Sequence, residues 1–219
     1  MRKEDISQSL KIGYIYNMES FQEDIIKKIG KENFIKVQSA KVGLAGAGGL
    51  GSNCALNLVR VGFRRLTIVD FDVVVPSNLD RQFYFLDQIG IKKTEALKTN
   101  LLRVNPGLEL TLIDKRIKQG NIKELFGACD IVIECLDQAE SKSMLVEELL
   151  NLGKFVVAVS GVGGIGSSDD IKVHRIRKNL AIVGDLKSDI NQKPALSPRV
   201  NIAAAKQADL VLDFVTSFK

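Results

Sequence analysis

Four glycines near the start of the chain are spaced so that they could hold a phosphate. Gly46, Gly48 and Gly51 form a G-x-G-x-x-G pattern that also contains Gly49. Glycines permit a tight turn and let backbone N–H groups approach a phosphate, which the N-terminus of a following helix attracts. Asp70 ends the next apolar run, where a dinucleotide-binding fold places an acid for the ribose hydroxyls. The glycines alone are as consistent with an ordinary turn, but together with this acid they predict a nucleotide site.

The polar residues that follow Asp70 indicate which nucleotide binds. An NAD-dependent enzyme needs no polar cluster there, whereas this chain has Asn78, Arg81 and Gln82 in SNLDRQ, Lys93 in KKTEA and Asp137 in ECLDQ. We expect Arg81 and Lys93 to supply cations for a triphosphate, and Asp137 to hold Mg²⁺, which takes few carboxylates besides phosphate oxygens. Singly, each residue is better explained as a solvated charge or a helix N-cap. Together beside a glycine turn, they favour a triphosphate site.

The predicted secondary structure brings these residues to one edge of a sheet. Apolar runs predict strands at 42–45, 66–69, 108–113, 130–135 and 155–159, and helices are predicted after the glycines and at 21–35, 92–104, 121–126 and 141–152. This alternation indicates an α/β protein with a Rossmann-like, doubly wound and mainly parallel sheet. The carboxyl ends of the strands form the ligand crevice of such a sheet.

The pattern changes after residue 159. Residues 171–176 and 180–183 predict antiparallel strands, added to the sheet near the C-terminus. Residues 187–198 predict a mobile crossover loop, and residues 201–214 a final helix. We therefore expect a single domain over 1–219, with an N-terminal helical extension at 1–40, a nucleotide-binding core at 41–160 and a further region at 161–219.

Composition limits the remaining classes. The 219 residues are 45% hydrophobic and 26% charged, which is ordinary for a globular protein. The net charge of +5 fits a phosphate-bearing ligand or an acidic partner, and the absence of a basic run interleaved with aromatic residues argues against nucleic acid. The sequence shows neither a signal peptide nor an apolar run long enough for a bilayer, so we expect a cytoplasmic protein without a membrane partner.

Cysteine and histidine offer little material for metal or redox chemistry. Cys54, Cys129 and Cys135 form no C-x-x-C pair, and their odd number argues against a disulfide framework. We interpret all three as packing residues. His174 is the only histidine, and we expect it to be a solvated or packed residue of a strand.

Taken together, the motifs resemble the ThiF/MoeB/ubiquitin-activating superfamily of adenylyltransferases, and most closely its short ThiF-like members. The resemblance rests on GAGGLGSN, IVDFDVVVPSNLDRQ, G-x-x-K-x-E-A-L, RVNP and CDIVIECLD, and covers roughly residues 20–215. It implies ATP-dependent adenylation of the C-terminal glycine of a small ubiquitin-fold sulfur carrier protein ending in Gly-Gly. Pyrophosphate leaves, and a separate sulfur donor enzyme acts on the acyl-adenylate, in a pathway expected to be thiamine (thiazole) biosynthesis.

The resemblance also implies roles for individual residues. Gly49 lies against the nucleotide, Asp70 holds the ribose, Lys93 meets the α- and β-phosphates, and Asp137 holds Mg²⁺. The nucleotide-binding set is expected to comprise Gly46, Gly48, Gly49, Gly51, Asp70, Asp72, Asn78, Arg81, Gln82 and Lys93, and the catalytic set Arg81, Lys93 and Asp137. A homodimer is expected, with residues 161–219 on the carrier side.

The chain departs from the family pattern in three places. Many members carry an arginine in the N-terminal helix, where this chain has Glu19, Gln22 or Glu23. The two C-x-x-C pairs that bind structural zinc in many relatives are missing, so no zinc is expected. The crossover loop has no cysteine for a persulfide or thioester step. An NAD-binding Rossmann oxidoreductase and a non-catalytic carrier-binding homologue therefore stay open as alternatives.

Overall fold

The computed structural model describes residues 19–190 and 192–217, so the part of the predicted N-terminal extension before residue 19 lies outside it. The helices are α1 (19–29), α2 (Lys31–Ser39), α3 (Gly49–Arg60), α4 (Lys93–Leu102), α5 (Ile122–Phe126), α6 (Ala139–Asn151) and α7 (Ser197–Ser217). The strands are β1 (Lys41–Ala45), β2 (Arg65–Val69), β3 (Glu109–Ile113), β4 (Ile131–Glu134), β5 (Phe155–Val159), β6 (Lys172–Arg177) and β7 (Leu180–Gly184). Short 3₁₀ helices span Pro76–Asn78, Leu86–Gln88 and Ser168–Asp170.

The strands form one seven-stranded sheet in the order β3-β2-β1-β4-β5-β7-β6. All neighbouring pairs are parallel except β6 and β7, which are antiparallel. The predicted mainly parallel sheet with antiparallel strands near the C-terminus is therefore confirmed. The chain proceeds outward in opposite directions from β1 and β4, and the loops at their carboxyl ends diverge to open a crevice between them.

Burial along the strands explains this order. The strands β4 and β5 are apolar runs buried along their whole length, as expected for strands covered on both faces. The outermost strands, β3 and β6, alternate or expose most of their residues. Buried side chains from α3, α4 and α7 pack in one core cluster, and those from α5 and α6 in another. The helices thus cover both faces of the sheet.

The helix boundaries differ slightly from the predicted ones. Helix α7 begins at Ser197, ahead of the predicted residue 201, and Pro198 lies in its first turn. A proline is tolerated there because its missing N–H would have no partner within the helix. Gly30 separates α1 from α2 with a φ of +83°, so the helix predicted at 21–35 is divided in two. No helix within 19–190 and 192–217 is long and apolar enough to cross a membrane.

Candidate active site

A cavity of about 870 Å³ opens at the carboxyl ends of β1, β2, β4 and β5. It brings together nearly all the residues predicted from the sequence: Gly46, Gly48, Gly49, Asp70, Asp72, Asn78, Arg81, Gln82, Lys93 and Asp137. Gly51 is the exception. A Cβ atom on Gly51 would lie 1.9 Å from the Gly46 carbonyl oxygen, so Gly51 allows the turn to close and does not face a ligand.

The glycine turn connects β1 to α3. Gly46 has a φ of +107°, and a Cβ there would also lie 2.9 Å from the Cys135 carbonyl oxygen. Gly48 is the N-cap of α3, and no side chain of the described residues caps this helix. The first-turn N–H groups of α3 therefore stay available for an anionic ligand. A Cβ on Gly48 would have its nearest neighbour 3.8 Å away, at Gln82 Nε2.

Asp70 is fixed beside this turn by two backbone N–H groups. Its Oδ2 accepts a hydrogen bond from Ala47 at 2.7 Å, and its Oδ1 accepts one from Asp72 at 2.8 Å. Burial raises the pKa of Asp70, and the two N–H groups and the nearby Lys93 ammonium only partly offset that rise. The carboxylate is thus oriented before any ligand arrives, as a group that accepts hydrogen bonds from ribose hydroxyls must be.

Lys93 opens α4 and is held from two sides. Its Nζ donates to Asp72 Oδ2 at 2.8 Å, and its backbone N–H donates to the Asp72 carbonyl at 2.9 Å. Its side chain is only 8% exposed. The Tyr84 hydroxyl donates to the Ala47 carbonyl and also approaches the Lys93 carbonyl, which links the start of α4 to the glycine turn. The lysine is therefore a positioned cation with a resident carboxylate partner.

Arg81 has the same kind of arrangement with a different aspartate. Its Nη1 donates to Asp80 Oδ1 at 2.6 Å and to the Ser77 carbonyl at 3.0 Å. Asn78, which is buried, accepts the Val75 N–H on its Oδ1 and so shapes the turn that carries Arg81. Both predicted cations are thus paired with carboxylates of this cavity. We predicted Asp72 only as a nucleotide-binding residue, and Asp80 was not predicted.

Gln82 and Asp137 have polar atoms that the protein leaves unused. Gln82 Oε1 is buried without a hydrogen-bond partner among the described residues. Asp137 is exposed at the cavity wall and forms no hydrogen bond or ion pair with any described residue. An unpaired carboxylate facing a cavity lined with positioned cations fits an oxygen-coordinating cation such as Mg²⁺ together with phosphate oxygens.

The loop that carries Asp137 is anchored by a buried acid that the sequence analysis missed. Glu134 is completely buried, and its carboxylate accepts hydrogen bonds from Leu136 N–H at 2.6 Å, Val159 N–H at 3.2 Å and Lys142 Nζ at 3.0 Å. Lys142 also donates to the Val159 carbonyl. The pair therefore joins β4, β5 and α6 at the cavity wall. An acid at the end of the otherwise apolar IVIE strand was the signal available in the sequence.

A second missed group lies beyond Asp70. The guanidinium carbon of Arg116 lies 4.2 Å from the ring centroid of Phe71, and Lys115 pairs with Glu124 at 2.8 Å. Phe71, Lys115 and Arg116 line the cavity where β2 and β3 end. A cation over the face of an aromatic ring forms an ordinary cation–π contact. The Phe71 ring gives this end of the cavity an aromatic wall.

The opposite end of the cavity is formed by loops after β5 and β7. Its lining consists of Ser160, Gly161, Val162, Ser188, Asp189, Ile190, Pro194, Ala195 and Leu196, with Val200 of α7. Six of these residues, at 188–190 and 194–196, belong to the predicted crossover loop. Cys54, Cys129 and Cys135 are all buried, and burial raises the pKa of each thiol. His174 lies on β6 with its Nε2 3.0 Å from the Gly184 carbonyl oxygen, as expected for a packed strand residue.

The chain is similar in sequence to curated proteins of more than one kind. The adenylyltransferase and sulfurtransferase UBA4 of Eremothecium gossypii is 36% identical over 138 residues, which are 63% of this chain and 31% of the relative. The tRNA threonylcarbamoyladenosine dehydratase 2 of Saccharomyces cerevisiae is 32% identical over 190 residues, which are 83% of this chain and 36% of the relative. The chain thus spans about a third of the length of these curated relatives.

The fold has a counterpart among solved structures. The tRNA N6-threonylcarbamoyladenosine dehydratase TcdA of E. coli, solved in complex with AMP, matches with a TM-score of 0.81 over 89% of this chain and 93% of TcdA. At 18% identity this likeness establishes the fold alone. The model of the ThiF family matches residues 21–171, which include the glycine turn, the paired cations and Asp137. The chain therefore belongs to the ThiF family.

Proposed function

We propose that this protein catalyses ATP-dependent adenylation of the C-terminal glycine of a small ubiquitin-fold sulfur carrier protein. The observation that carries the proposal is the convergence of the glycine turn, Asp70, Arg81, Lys93 and Asp137 on one cavity. Membership of the ThiF family supports it, as do a relative named as an adenylyltransferase and neighbours solved in complex with AMP and with ATP.

The reaction needs positioning and charge neutralisation more than covalent help. An oxygen of the carrier carboxylate attacks the α-phosphorus, the bond to the bridging oxygen of the β-phosphate breaks, and pyrophosphate leaves. Arg81 and Lys93 neutralise negative charge on the phosphates, and Asp70 accepts hydrogen bonds from the ribose. Asp137 would hold Mg²⁺, which when bound neutralises charge on the leaving pyrophosphate. The substrate carboxylate is the nucleophile, so the chain need not supply one.

The sulfur step is assigned to a partner. The three cysteines of the chain are buried and their thiols have raised pKa values, which disfavours the reactive thiolate. A separate sulfur donor is therefore part of the proposal. The names of the relatives point to sulfur transfer and to tRNA modification. They give no support to the thiazole pathway, which stays a prediction from the sequence.

A second candidate acceptor is the carboxylate of threonylcarbamoyladenosine in tRNA. It is favoured by the dehydratase relative, which aligns with 83% of this chain, and by the likeness to TcdA. Dehydration of a carboxylic acid also requires an activated carboxylate, and adenylation provides one. The lack of a basic, aromatic-rich run in the sequence weighs against a nucleic-acid partner.

The test is ATP–pyrophosphate exchange with each acceptor. We expect exchange with a purified carrier ending in Gly-Gly and none with a carrier lacking that dipeptide. Exchange only with modified tRNA would select the second candidate. Stabilisation by NAD but not by ATP in a thermal-shift assay would indicate an oxidoreductase. ATP binding without exchange for any acceptor would indicate a non-catalytic homologue, which the missing N-terminal arginine keeps open.

Asp137 and the oligomeric state are tested separately. Asp137→Asn should weaken Mg²⁺-dependent exchange much more than binding of metal-free ATP, because the amide cannot replace the carboxylate charge. Equal loss of both would make Asp137 a structural residue. We also propose a homodimer, which light scattering at micromolar concentration would show, whereas a monomer would contradict it.

A further inference from the structure

A buried arginine connects the loops at the far end of the cavity. Arg199 lies in the first turn of α7 and is only 5% exposed. Its Nη1 donates to the carbonyls of Gly166 at 2.7 Å and Ser167 at 2.8 Å, and its Nη2 donates to Asp185 Oδ2 at 2.6 Å. Its Nε lies 3.4 Å from the Val162 carbonyl oxygen. One guanidinium therefore joins the loop after β5, the end of β7 and the start of α7.

Asp185 extends these contacts into the segment after β7. Its Oδ1 accepts hydrogen bonds from the N–H groups of Lys187 at 2.8 Å and Ser188 at 2.7 Å, and its own N–H donates to Gly161 at 2.9 Å. Burial alone would raise the pKa of Asp185, but these two N–H groups and the Arg199 guanidinium outweigh it and hold the pKa below its ordinary value. The Asp185 carboxylate is therefore charged at neutral pH.

The two loops adopt conformations that need external support. Ser167 has a φ of +47° and Leu186 a φ of +61°, and they are the non-glycine residues of the described chain with positive φ. Ser167 accepts a hydrogen bond from Arg199, and Leu186 directly follows Asp185. A side chain in the left-handed region persists only where its surroundings fix it. The ion pair of Arg199 and Asp185 supplies that constraint on both loops.

The loops after β5 and β7 form one half of the cavity, and the predicted nucleotide-binding residues form the other. The predicted nucleotide residues come from the turn after β1, the loop after β2 and the start of α4. The loops tied by Arg199 contribute Ser160, Gly161 and Val162 on one side and Ser188, Asp189 and Ile190 on the other. A bisubstrate reaction needs a fixed surface for each reactant, so this half is the place for the acceptor.

We propose that Arg199 and Asp185 are a positioning pair. The pair holds the loops after β5 and β7, which form this wall of the cavity, in the shape that orients the acceptor carboxylate toward the α-phosphate. The identity of the acceptor rests on the proposed function, whereas the fixing of the wall does not. Neither residue lines the cavity, so the pair acts through the loops that it holds and not on the reacting atoms directly. An arginine suits this task because its planar guanidinium holds several acceptors in fixed directions at once, which the point charge of a lysine cannot do.

The experiment compares Arg199→Met with a matched control. Arg175→Met removes another Arg–Asp pair between the C-terminal strands and α7, with Asp213 at 2.7 Å, but Arg175 is 61% exposed and does not line the cavity. In Arg199→Met, hydrogen exchange of the amides of residues 185–188 should accelerate roughly 100-fold or more, as after breaking a buried ion pair. Arg199→Lys should restore protection only in part, and Arg175→Met should leave it unchanged.

Kinetics then separate the acceptor from ATP. In Arg199→Met, kcat/KM for the acceptor should fall roughly 100-fold, the cost of misplacing a reacting group by about 1 Å. The Kd of ATP should stay within about twofold, as for sites without shared partners. Unchanged amide exchange, or an equal loss of ATP and acceptor binding, would overturn the proposal.

A folding defect and a failure of the proposed function give distinguishable results. If Arg199→Met does not fold, Asp185→Asn, which keeps the shape of the side chain, takes its place. Unfolding of both variants would make the pair a determinant of global stability and reject the positioning role. If the wild-type protein exchanges pyrophosphate with no acceptor, the proposed function fails, while amide exchange and ATP binding still decide whether the pair fixes this wall independently of the nucleotide.

Discussion

Replacing Arg81 by alanine should distinguish a catalytic role from a structural one, because the two roles predict different losses of exchange rate and of stability. The side chain is 30% exposed, and its ion-pair partner Asp80 is about half exposed. A pair so open to solvent contributes about 0.2–1 kcal/mol to the free energy of unfolding. Since about 1 kcal/mol shifts the Tm of a chain of this size by about 2–4 °C, loss of the pair should lower Tm by no more than that. A preorganised donor to a transition state contributes more, about 2.7–4 kcal/mol, so exchange should slow roughly 100–1,000-fold.

The assay is carrier-dependent ATP–pyrophosphate exchange at saturating ATP, with thermal unfolding measured on the same samples. Arg81→Lys should recover activity only in part, because an ammonium cannot make the paired contacts of a guanidinium. Arg65→Ala is the matched control, since Arg65 also forms an exposed ion pair, with Glu109, but does not line the cavity. If Arg81→Ala exchanges pyrophosphate as fast as Arg65→Ala, the assignment of Arg81 to the triphosphate is wrong.

Four further substitutions test the site and its supports. Gly51→Ala should unfold the turn, because the new Cβ would overlap the Gly46 carbonyl oxygen. Gly48→Ala should leave Tm unchanged but weaken ATP binding, because its Cβ would project into the cavity. Thermal unfolding and ATP titration distinguish the two variants. Lys142→Met should lower the free energy of unfolding in urea by about 3–5 kcal/mol, because it leaves the buried Glu134 carboxylate without its cation. Because the pKa of Asp70 is raised, between pH 3.8 and the folded pKa the folded protein keeps a proton on this carboxyl group that the unfolded chain has lost. The free energy of unfolding of the wild type relative to Asp70→Asn should therefore fall as pH rises from 3.8 through the folded pKa, and a flat difference would contradict this.

The fold could be predicted from the sequence because its strands carry unambiguous patterns. The runs IVIE and FVVAV are apolar without alternation, which indicates strands covered on both faces, and both are buried along their length. The change of pattern after residue 159 predicted the antiparallel strands near the C-terminus, which the pairing of β6 with β7 confirms. The start of α7 was misplaced because Pro198 was interpreted as part of the loop, although a proline is also compatible with a first helical turn.

Residue types at the cavity could be predicted, but their pairings could not. Lys93 and Asp72 are far apart in sequence and meet because Val73 and Lys92 form a bridge, so their contact depends on a loop path without a sequence pattern. Gly51 matched the phosphate motif as well as Gly48 did, and only the close approach of the Gly46 carbonyl shows that it serves packing.

These pairings change the electrostatic picture of the site. The cavity lining has as many carboxylates as cations: Asp70, Asp72, Asp80, Asp137 and Asp189 against Arg81, Lys93, Lys115, Arg116 and Lys142. A cavity whose side-chain charges sum to zero cannot neutralise a triphosphate with those side chains alone. Its aspartates can nevertheless hold the cations in place until phosphate oxygens replace them as partners. We expect the missing positive charge to arrive with the nucleotide as a divalent cation, for which Asp137, the carboxylate without a partner among the described residues, is the proposed ligand. We therefore expect the resident aspartates to make the proposed site selective for a metal-bound triphosphate over a free one.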